Sequence, residues 1–568
     1  MLLLASVLNV LKIILFVPKS IYTISMKNYF GKIVMICCFL AFLNGAKAQN
    51  VFPATEKFRS TLSIVAQNYV DTINPDKLAE DAIIKMLEEL DPHSVYISKE
   101  EIKEMNEPLV GNFEGVGIQF QIYKDTIMVV AVISGGPSEK VGIMAGDKII
   151  KVNGELVAGK GIKNNDVLKK LRGDKGTKVL ISVERNKREV LMDFEVIRDK
   201  IPIYSLDASY MASPEIGYIK LSRFAQTTMD EYLKAFNDLK NQGLKHLILD
   251  LRGNGGGYLH IAIALADEFL KDKKLIVYTE GIRSPKKEVF STSKGGFETG
   301  KLVILIDEAS ASASEIVSGA AQDLDRGIII GRRSFGKGLV QNQFSLSDGS
   351  GLRLTTARYY TPSGRSIQKP YKDGLDAYNE DLQKRFKHGE FTNPDSIHMP
   401  DSLKFYTTNK RVVYGGGGIM PDIFIPLDTS MNSEYYTDLF RKNVINQFVY
   451  NYLDENRKSI LELYPTMKEF KERFKTDDSL MKKFVAFGVS EGVKEDSTGF
   501  ALSRKIIEAQ IKALIARNYW QTSAYFEIIN DMNDAYIKAV GVIQDNSFDK
   551  MKMDYKKRNK RLERFSSS

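Results

Sequence analysis

Apolar runs and the turns between them divide the chain into regions of different predicted structure. Between Phe58 and Leu90, apolar residues recur every four positions, which predicts a helix until Asp91-Pro92 ends the pattern. From Val110 to Ile201, short apolar runs are separated by glycine turns, as is typical of a β-rich module. From Ile216 to Arg358, unbroken apolar runs alternate with helical patterns, which indicates strand–helix units.

The strand–helix region predicts an α/β fold with a sheet covered on both faces, because its strands are apolar along their whole length. The predicted strands are His246–Leu251, Lys301–Asp307 and Gly327–Gly331, and the predicted helices are Tyr258–Lys271 and Ser312–Leu324. The polar, aperiodic stretch at 369–418 is interpreted as a surface insertion. The glycine-poor remainder from Ser433 is interpreted as a helical domain.

Charge is concentrated at the two ends of the 568-residue chain, whose formal net charge is +9. The first 48 residues carry five lysines and no acid, and the stretch 550–568 carries eight basic residues against two acidic ones. The body between them is nearly neutral, which argues against a nucleic-acid-binding domain. A content of 43% hydrophobic and 27% charged residues is typical of a globular protein.

The N-terminus resembles a secretory leader. Lys27 and Lys32 precede the apolar run Ile33–Leu43, and a small-x-small pattern ends at Ala48. We expect cleavage after Ala48 and a periplasmic destination. A membrane anchor that also uses the upstream apolar stretch Leu2–Val17 stays open as the alternative.

The positions of the cysteines and histidines limit the kinds of catalytic and metal site that the chain can form. Cys37 and Cys38, the two cysteines of the chain, both lie in the leader, so the cleaved protein would have no disulfide, cysteine nucleophile or cysteine-bound zinc. None of the five histidines has a metal-ligand spacing such as HExxH. We therefore expect neither a metal nor an organic cofactor.

Two predicted strand-to-helix junctions carry candidate residues. The loop Asp250–Gly257 (DLRGNGGG) offers glycine amides that could face a phosphate or an oxyanion, although it lacks the ending of a phosphate-binding loop. At the second junction, Ser312 followed by Glu315 fits an ordinary capping box. The same position suits a nucleophile, because amides at a helix N-terminus stabilise a developing oxyanion.

A third segment, Arg332–Gln341, places Lys337 between two glycines. A lysine in a loop normally points into solvent. If it is buried beside a serine, however, desolvation lowers its pKa and makes it a general base that needs no histidine. The local pattern leaves both interpretations open.

Taken together, several motifs resemble the C-terminal processing peptidases, the PDZ-containing tail-specific serine proteases. They are LDPHSVYIS (90–98), GNFEGVGIQF (111–120), ASASASEI (309–316), SFGKGLVQ (334–341), LRLTTARYYTPSGRSIQ (352–368) and GGIMPDIFIP (417–426). The resemblance implies a PDZ module and a crotonase-like (ClpP-like) α/β protease core, with helical segments at both ends.

The resemblance also implies roles for individual residues. Ser312 matches the nucleophile of the family, Lys337 its general base, and Gln341 the residue that positions that lysine. The oxyanion hole would consist of the Ala313 amide and an amide of the glycine loop. Gly256 is our choice among the glycines 255–257.

The segment Gly115-Val116-Gly117-Ile118 resembles the carboxylate-binding loop of PDZ domains. Successive amides there can capture a C-terminal carboxylate while the next strand pairs with the peptide. Within the same module, Val167, Leu168 and Leu171 fall at helical spacing. They could line the peptide groove or simply belong to the core.

These observations predict an exported serine endopeptidase that recognises free, unstructured C-terminal tails. The alternative is a catalytically inactive PDZ scaffold that binds such tails. An adaptor protein and a homo-oligomer stay open as partners. The predicted domains are a leader (1–48), an N-terminal helical segment (49–109), a PDZ domain (110–201), a protease core with the insertion (202–428) and a helical domain (429–568).

Overall fold

The computed structural model describes residues 51–133, 135–185, 190–545 and 547–549, so the predicted leader and the basic tail lie outside the described residues. The chain divides into two compact units, and the second begins at Ile84. The predicted helix at 58–90 is two helices, α1 (Phe52–Asn68) and α2 (Pro75–Glu88). The second helix begins at Asn74-Pro75, because the Asn74 side chain accepts the amides of Asp76 and Lys77 at 3.0 and 3.2 Å.

The β-rich module is a six-stranded antiparallel sheet around its own apolar core. A short antiparallel pair formed by β2 and β9 leads into and out of it. Val167 and Leu171 are buried in this core, whereas Leu168 is exposed. The elements are β1 (Val95–Ile97), α3 (Lys99–Val110), β2 (Asn112–Gly115), β3 (Ile118–Tyr123), β4 (Thr126–Val132), α4 (Pro137–Val141), β5 (Lys148–Val152), β6 (Glu155–Leu156), α5 (Asn164–Leu171), β7 (Lys178–Glu184), β8 (Met192–Ile197) and β9 (Asp199–Pro202).

The predicted α/β region contains a six-stranded sheet in the order β10-β11-β12-β15-β16-β21, where β21 is Ile423–Phe424. The sheet is parallel except for β10. Successive strand residues alternate between its two faces. Leu247 and Leu249 of β12 pack in the cluster that includes α6, α7 and α8, and Ile248 faces the opposite cluster. The elements are β10 (Leu206–Ser213), β11 (Ile216–Leu221), α6 (Thr228–Asn241), β12 (His246–Asp250), α7 (Leu259–Asp267), β13 (Leu275–Gly281), β14 (Ser284–Phe290), β15 (Leu302–Ile306), α8 (Ala313–Asp323), β16 (Ile328–Gly331), β17 (Leu339–Ser345) and β18 (Gly351–Tyr360).

A second antiparallel sheet joins β1, β13, β14, β17 and β18, so the segment that follows α2 pairs with strands of the α/β region. The stretch 369–418 is more ordered than predicted. It contains two short helices and a two-stranded hairpin, and it buries Tyr378 and Phe391. Its elements and the following strand are α9 (Gly374–Asn379), α10 (Asp381–Lys387), β19 (Lys404–Tyr406), β20 (Val412–Tyr414) and β21 (Ile423–Phe424).

The C-terminal region is helical, as predicted. Its helix α16 (Asp534–Gln544) covers the face of the main sheet opposite α6–α8. Its other helices have a core of their own and touch the PDZ-like module, where Glu491 accepts from Tyr123 at 3.3 Å and pairs with Lys124 at 3.1 Å. The helices are α11 (Glu434–Arg441), α12 (Val444–Leu463), α13 (Met467–Arg473), α14 (Asp478–Ser490), α15 (Ser497–Ile529) and α16 (Asp534–Gln544). Among the described residues, no helix is both long and apolar enough to span a membrane.

Candidate active site

Ser312 occupies a strained turn between β15 and the N-terminus of α8. Its φ of 56° and ψ of −111° are unusual for a residue with a side chain. The Glu315 carboxylate accepts the Ser312 amide at 2.7 Å, as in one half of a capping box. The half-buried Ser312 side chain thus lies at a helix N-terminus, where free amides favour negative charge.

The glycine loop after β12 lies directly against this turn. A Cβ on Gly256 would come within 2.9 Å of Ser312 Cβ and 3.0 Å of the Ala313 amide nitrogen, and Gly256 has a φ of +101°. A residue with a side chain is therefore excluded at 256 for both steric and conformational reasons. The structure brings together the predicted oxyanion-hole residues Gly256 and Ala313.

Asn254 organises the glycine loop from a fully buried position. Its side-chain nitrogen donates to Leu221 O at 3.0 Å, and its side-chain oxygen accepts the Gly256 amide at 2.9 Å. Its backbone oxygen accepts from the Ser314 hydroxyl at 2.8 Å and the Ala311 amide at 3.0 Å. The same residue thus fixes the loop and both sides of the Ser312 turn, and it holds the Gly256 amide in this conformation.

Lys337 follows β16, and its backbone is attached to the same groups as that of Ser312. Glu315 accepts the Lys337 amide at 2.9 Å through the same oxygen that accepts the Ser312 amide. The buried Tyr359 hydroxyl lies 2.6 Å from Lys337 O and 3.1 Å from Ser312 O. Two side chains therefore hold the serine and lysine segments side by side.

Electrostatics around the lysine favour the uncharged amine. Burial, and next the positive charge of Arg353, lower the pKa of Lys337, although Glu315 and Asp91 oppose this effect. Burial raises the pKa of Glu315 to about 7, although four hydrogen-bond donors favour its ionised form. A lysine whose pKa is lowered by burial is the kind of residue that can act as a general base.

Gln341 was expected to position Lys337, but its side chain is bonded to Thr355. Its side-chain nitrogen donates to the Thr355 hydroxyl at 3.2 Å, and that hydroxyl donates to Asp91 at 3.0 Å. Asp91 also accepts from the Ser94 hydroxyl at 2.6 Å. This chain of bonds connects β17, β18 and the LDPHS motif, so positioning of Lys337 by Gln341 stays a prediction.

Several residues around the candidate site were not selected from the sequence. His93 Nε2 lies 2.9 Å from the hydroxyl of Tyr378, a residue of the 369–418 segment. Burial, and next the charge of Lys337, lower the pKa of His93 to about 4, so its imidazole is neutral at physiological pH. The LDPHS motif was a signal for His93, whereas nothing local in the sequence indicated Tyr359 or Tyr378.

The predicted carboxylate-binding loop lies at the start of β3. Gly117 has a φ of +78°, and Val116 O accepts from both the amide and the hydroxyl of Ser138, at 3.0 and 2.7 Å. Gly117 O accepts from the Ile133 amide at 2.9 Å. These bonds hold Val116 and Gly117, which lie between the strand that ends at Gly115 and the strand that begins at Ile118.

Four parts of the chain match known family models. Residues 215–376 match the model of peptidase family S41, 128–185 match a PDZ domain, and 43–101 match the N-terminal domain of activating protease CtpB. Residues 435–521 match a family of unknown function. The fold and the matched models define a PDZ-containing serine-type peptidase, and they confirm the predicted fold class.

The chain belongs to the carboxy-terminal processing proteases. It is 38% identical over 325 residues to the carboxy-terminal-processing protease of Bartonella bacilliformis, covering 56% of this chain and 74% of that one. It is 34% identical to the carboxy-terminal processing protease CtpB of Bacillus subtilis, covering 56% and 66%. The solved photosystem II D1 C-terminal processing protease is 26% identical, with a TM-score of 0.34 and coverage of 65% and 92%.

Proposed function

We propose that this peptidase cleaves polypeptides by means of a serine–lysine dyad. Ser312 Oγ attacks the scissile carbonyl carbon while the neutral Lys337 amine accepts the hydroxyl proton. The same proton passes to the leaving amine as the C–N bond breaks. Water, deprotonated by Lys337, then hydrolyses the ester and restores the serine hydroxyl.

The observation that carries this proposal is the double attachment of the two segments. Glu315 accepts the amides of both Ser312 and Lys337, and the Tyr359 hydroxyl contacts the carbonyl oxygens of both. Gly256 and Ala313 lie beside this pair and would supply the oxyanion hole.

The PDZ module would select the substrate. The loop 115–118 would bind the terminal carboxylate through its amides, and β3 would pair with the peptide. The leader at 1–48 would direct export to the periplasm, where unfolded tails would be the substrates. N-terminal sequencing of protein recovered from a periplasmic fraction tests the export step, and a mature N-terminus at Gln49 is expected.

The dyad is tested with an unfolded protein that has a free C-terminus. Ser312→Ala and Lys337→Ala should each abolish cleavage, whereas the exposed-site controls Ser347→Ala and Lys372→Ala should cleave at the wild-type rate. If both dyad variants cleave as the wild type does, the assignment is wrong. Binding of the tail without cleavage by the wild type would favour the inactive scaffold.

The role of the PDZ module needs a second substrate. The same polypeptide ending in a C-terminal amide lacks the negative charge that the loop would bind. We expect a higher KM for the amide than for the free acid, with a similar kcat. Equal KM values would refute recognition of the carboxylate.

A further inference from the structure

Arg252, in the loop that follows β12, contacts the residue directly before α16. Asn533, the residue that caps α16, accepts from Arg252 Nη1 at 2.5 Å through its side-chain oxygen. The same oxygen accepts the Tyr536 amide at 3.1 Å and so begins the helix. Arg252 belongs to the loop Asp250–Gly257 and directly precedes Gly253, so this loop and the first turn of α16 bind the same acceptor atom.

Arg252 is otherwise held in one orientation. Its Nε and Nη2 donate to the two carboxylate oxygens of the fully buried Asp250, at 2.9 and 2.5 Å, and its backbone oxygen accepts from Lys220 at 2.9 Å. Burial opposes ionisation of Asp250, but Arg252 and Lys220 outweigh it and hold the pKa of that carboxyl well below its usual range. The next residue, Gly253, donates its amide to Asp307 at 2.9 Å. Asn533 thus completes the coordination of an arginine at the root of the loop.

The same helix also reaches Asp250 by a second path. The Tyr536 ring packs edge-on against Tyr218, with 5.4 Å between centroids, and the Tyr218 hydroxyl donates to Asp250 at 2.6 Å. Ala539 and Val542 of α16 are buried against the face of the main sheet to which Ile248 of β12 belongs. The helix is therefore docked firmly enough to transmit an orientation to Arg252.

We propose that Asn533 is a positioning residue for the oxyanion hole, acting through Arg252 on the glycine loop 253–257. The inference rests on the proposed function, since it assigns the loop an oxyanion-binding role. None of the four matching family models extends to residue 533, so this support is supplied by a part of the chain outside them. Through this contact, the C-terminal segment would contribute to catalysis by the peptidase.

The test separates the two jobs of Asn533. In Asn533→Ser, the short hydroxyl can still cap α16 but cannot reach Arg252, whereas Asn533→Asp keeps an acceptor for both. Asp477→Ser changes another helix cap, at α14, and serves as the matched control. Each full-length variant is measured for kcat and KM on the unfolded substrate, and for hydrogen exchange of the 253–257 amides.

We expect Asn533→Ser to lower kcat by about 10-fold with KM unchanged and to accelerate exchange in the loop, because the loop amides are less well held. Asn533→Asp should stay near wild type in both measurements, as should Asp477→Ser. Wild-type kcat and loop exchange in Asn533→Ser would overturn the inference. Equal losses in the Ser and Asp variants would overturn it too, because the acceptor would then not matter.

Failure of the proposed function would look different. In that case wild-type protein would neither cleave the substrate nor react at Ser312 with a fluorophosphonate probe. The exchange comparison between wild type and Asn533→Ser would still decide whether Asn533 orders the loop. The two claims can therefore fail separately.

Discussion

The helix that carries Ser312 at its N-terminus is fixed at its other end by a buried ion pair. Asp323, the last residue of α8, accepts from Arg365 at 2.7 Å, and both side chains are 0% exposed. The other carboxylate oxygen of Asp323 accepts the Ser363 amide at 3.1 Å. In Asp323→Asn, the amide group must turn its NH2 towards one of these donors, and Arg365 loses its counter-charge.

The structure gives the expected size of this effect. Removing one partner of a buried ion pair costs about 3–5 kcal/mol, because it leaves an uncompensated charge. Arg365 keeps bonds to Gln322 at 2.8 Å and Tyr414 O at 2.9 Å, which places the loss at about 3 kcal/mol. The exposed pair Lys234–Asp238 is the contrast, since its loss in Asp238→Asn should cost less than about 0.5 kcal/mol.

The assay is urea unfolding followed by circular dichroism, together with hydrogen exchange of the α8 amides. Fluorescence of the single tryptophan, Trp520, would report the separate C-terminal core instead. We expect Asp323→Asn to destabilise α8 and lower kcat, because the serine turn loses the rigidity of its helix. A loss no larger than that of Asp238→Asn would refute the reasoning.

Three further predictions concern Glu315, Lys337 and the PDZ loop. Burial raises the pKa of Glu315 to about 7 from 4.5, so the folded protein binds this proton more tightly than the unfolded chain does. This tighter binding adds about 3 kcal/mol to the free energy of unfolding below pH 4.5, and the added stability is lost as the pH rises through 7. Urea titrations at pH 5 and 8 should show this loss in the wild type and not in Glu315→Gln. Because burial lowers the pKa of Lys337, cleavage should increase with pH as the amine deprotonates. Lys337→Arg should be inactive from pH 6 to 10, and a rising limb in that variant would contradict the base assignment. Gly117→Ala places a Cβ 3.0 Å from Ile201 Cδ1 at a φ of +78°, so KM for a free C-terminus should rise about 10-fold while KM for the amidated peptide stays constant.

Local sequence patterns were sufficient to predict those strands and helices whose signals lie within the element itself. The buried strand His246–Asp250 and the helix Ala313–Asp323 lie within their predicted ranges, because unbroken apolar runs and capping residues are local signals. The segment 369–418 was interpreted as irregular, since α9 and α10 have only six and seven residues. Helices of that length complete fewer than two turns, which is too short for a recognisable period.

The network around the candidate site was beyond the reach of sequence patterns. Glu315 fits an ordinary cap in sequence, yet its carboxylate also holds the Lys337 segment, 22 residues away. Arg252 and Asn533 are 281 positions apart, and no periodicity joins them. Such bonds exist only after the sheet has brought the strand ends together, so they depend on tertiary structure.

The state of the glycine loop bears on how the proposed oxyanion hole works. In this structure the Gly256 amide already donates to Asn254 at 2.9 Å, so an oxyanion must compete with a neutral amide oxygen for that donor. The oxyanion carries the greater charge and therefore forms the stronger bond. Replacing the Asn254 side-chain oxygen as the acceptor of the Gly256 amide therefore stabilises the tetrahedral intermediate more than it stabilises the uncharged substrate carbonyl. A loop amide that is already hydrogen-bonded at rest therefore forms its strongest bond only with the charged intermediate, while Arg252 and the backbone oxygen of Asn254 keep the loop in place.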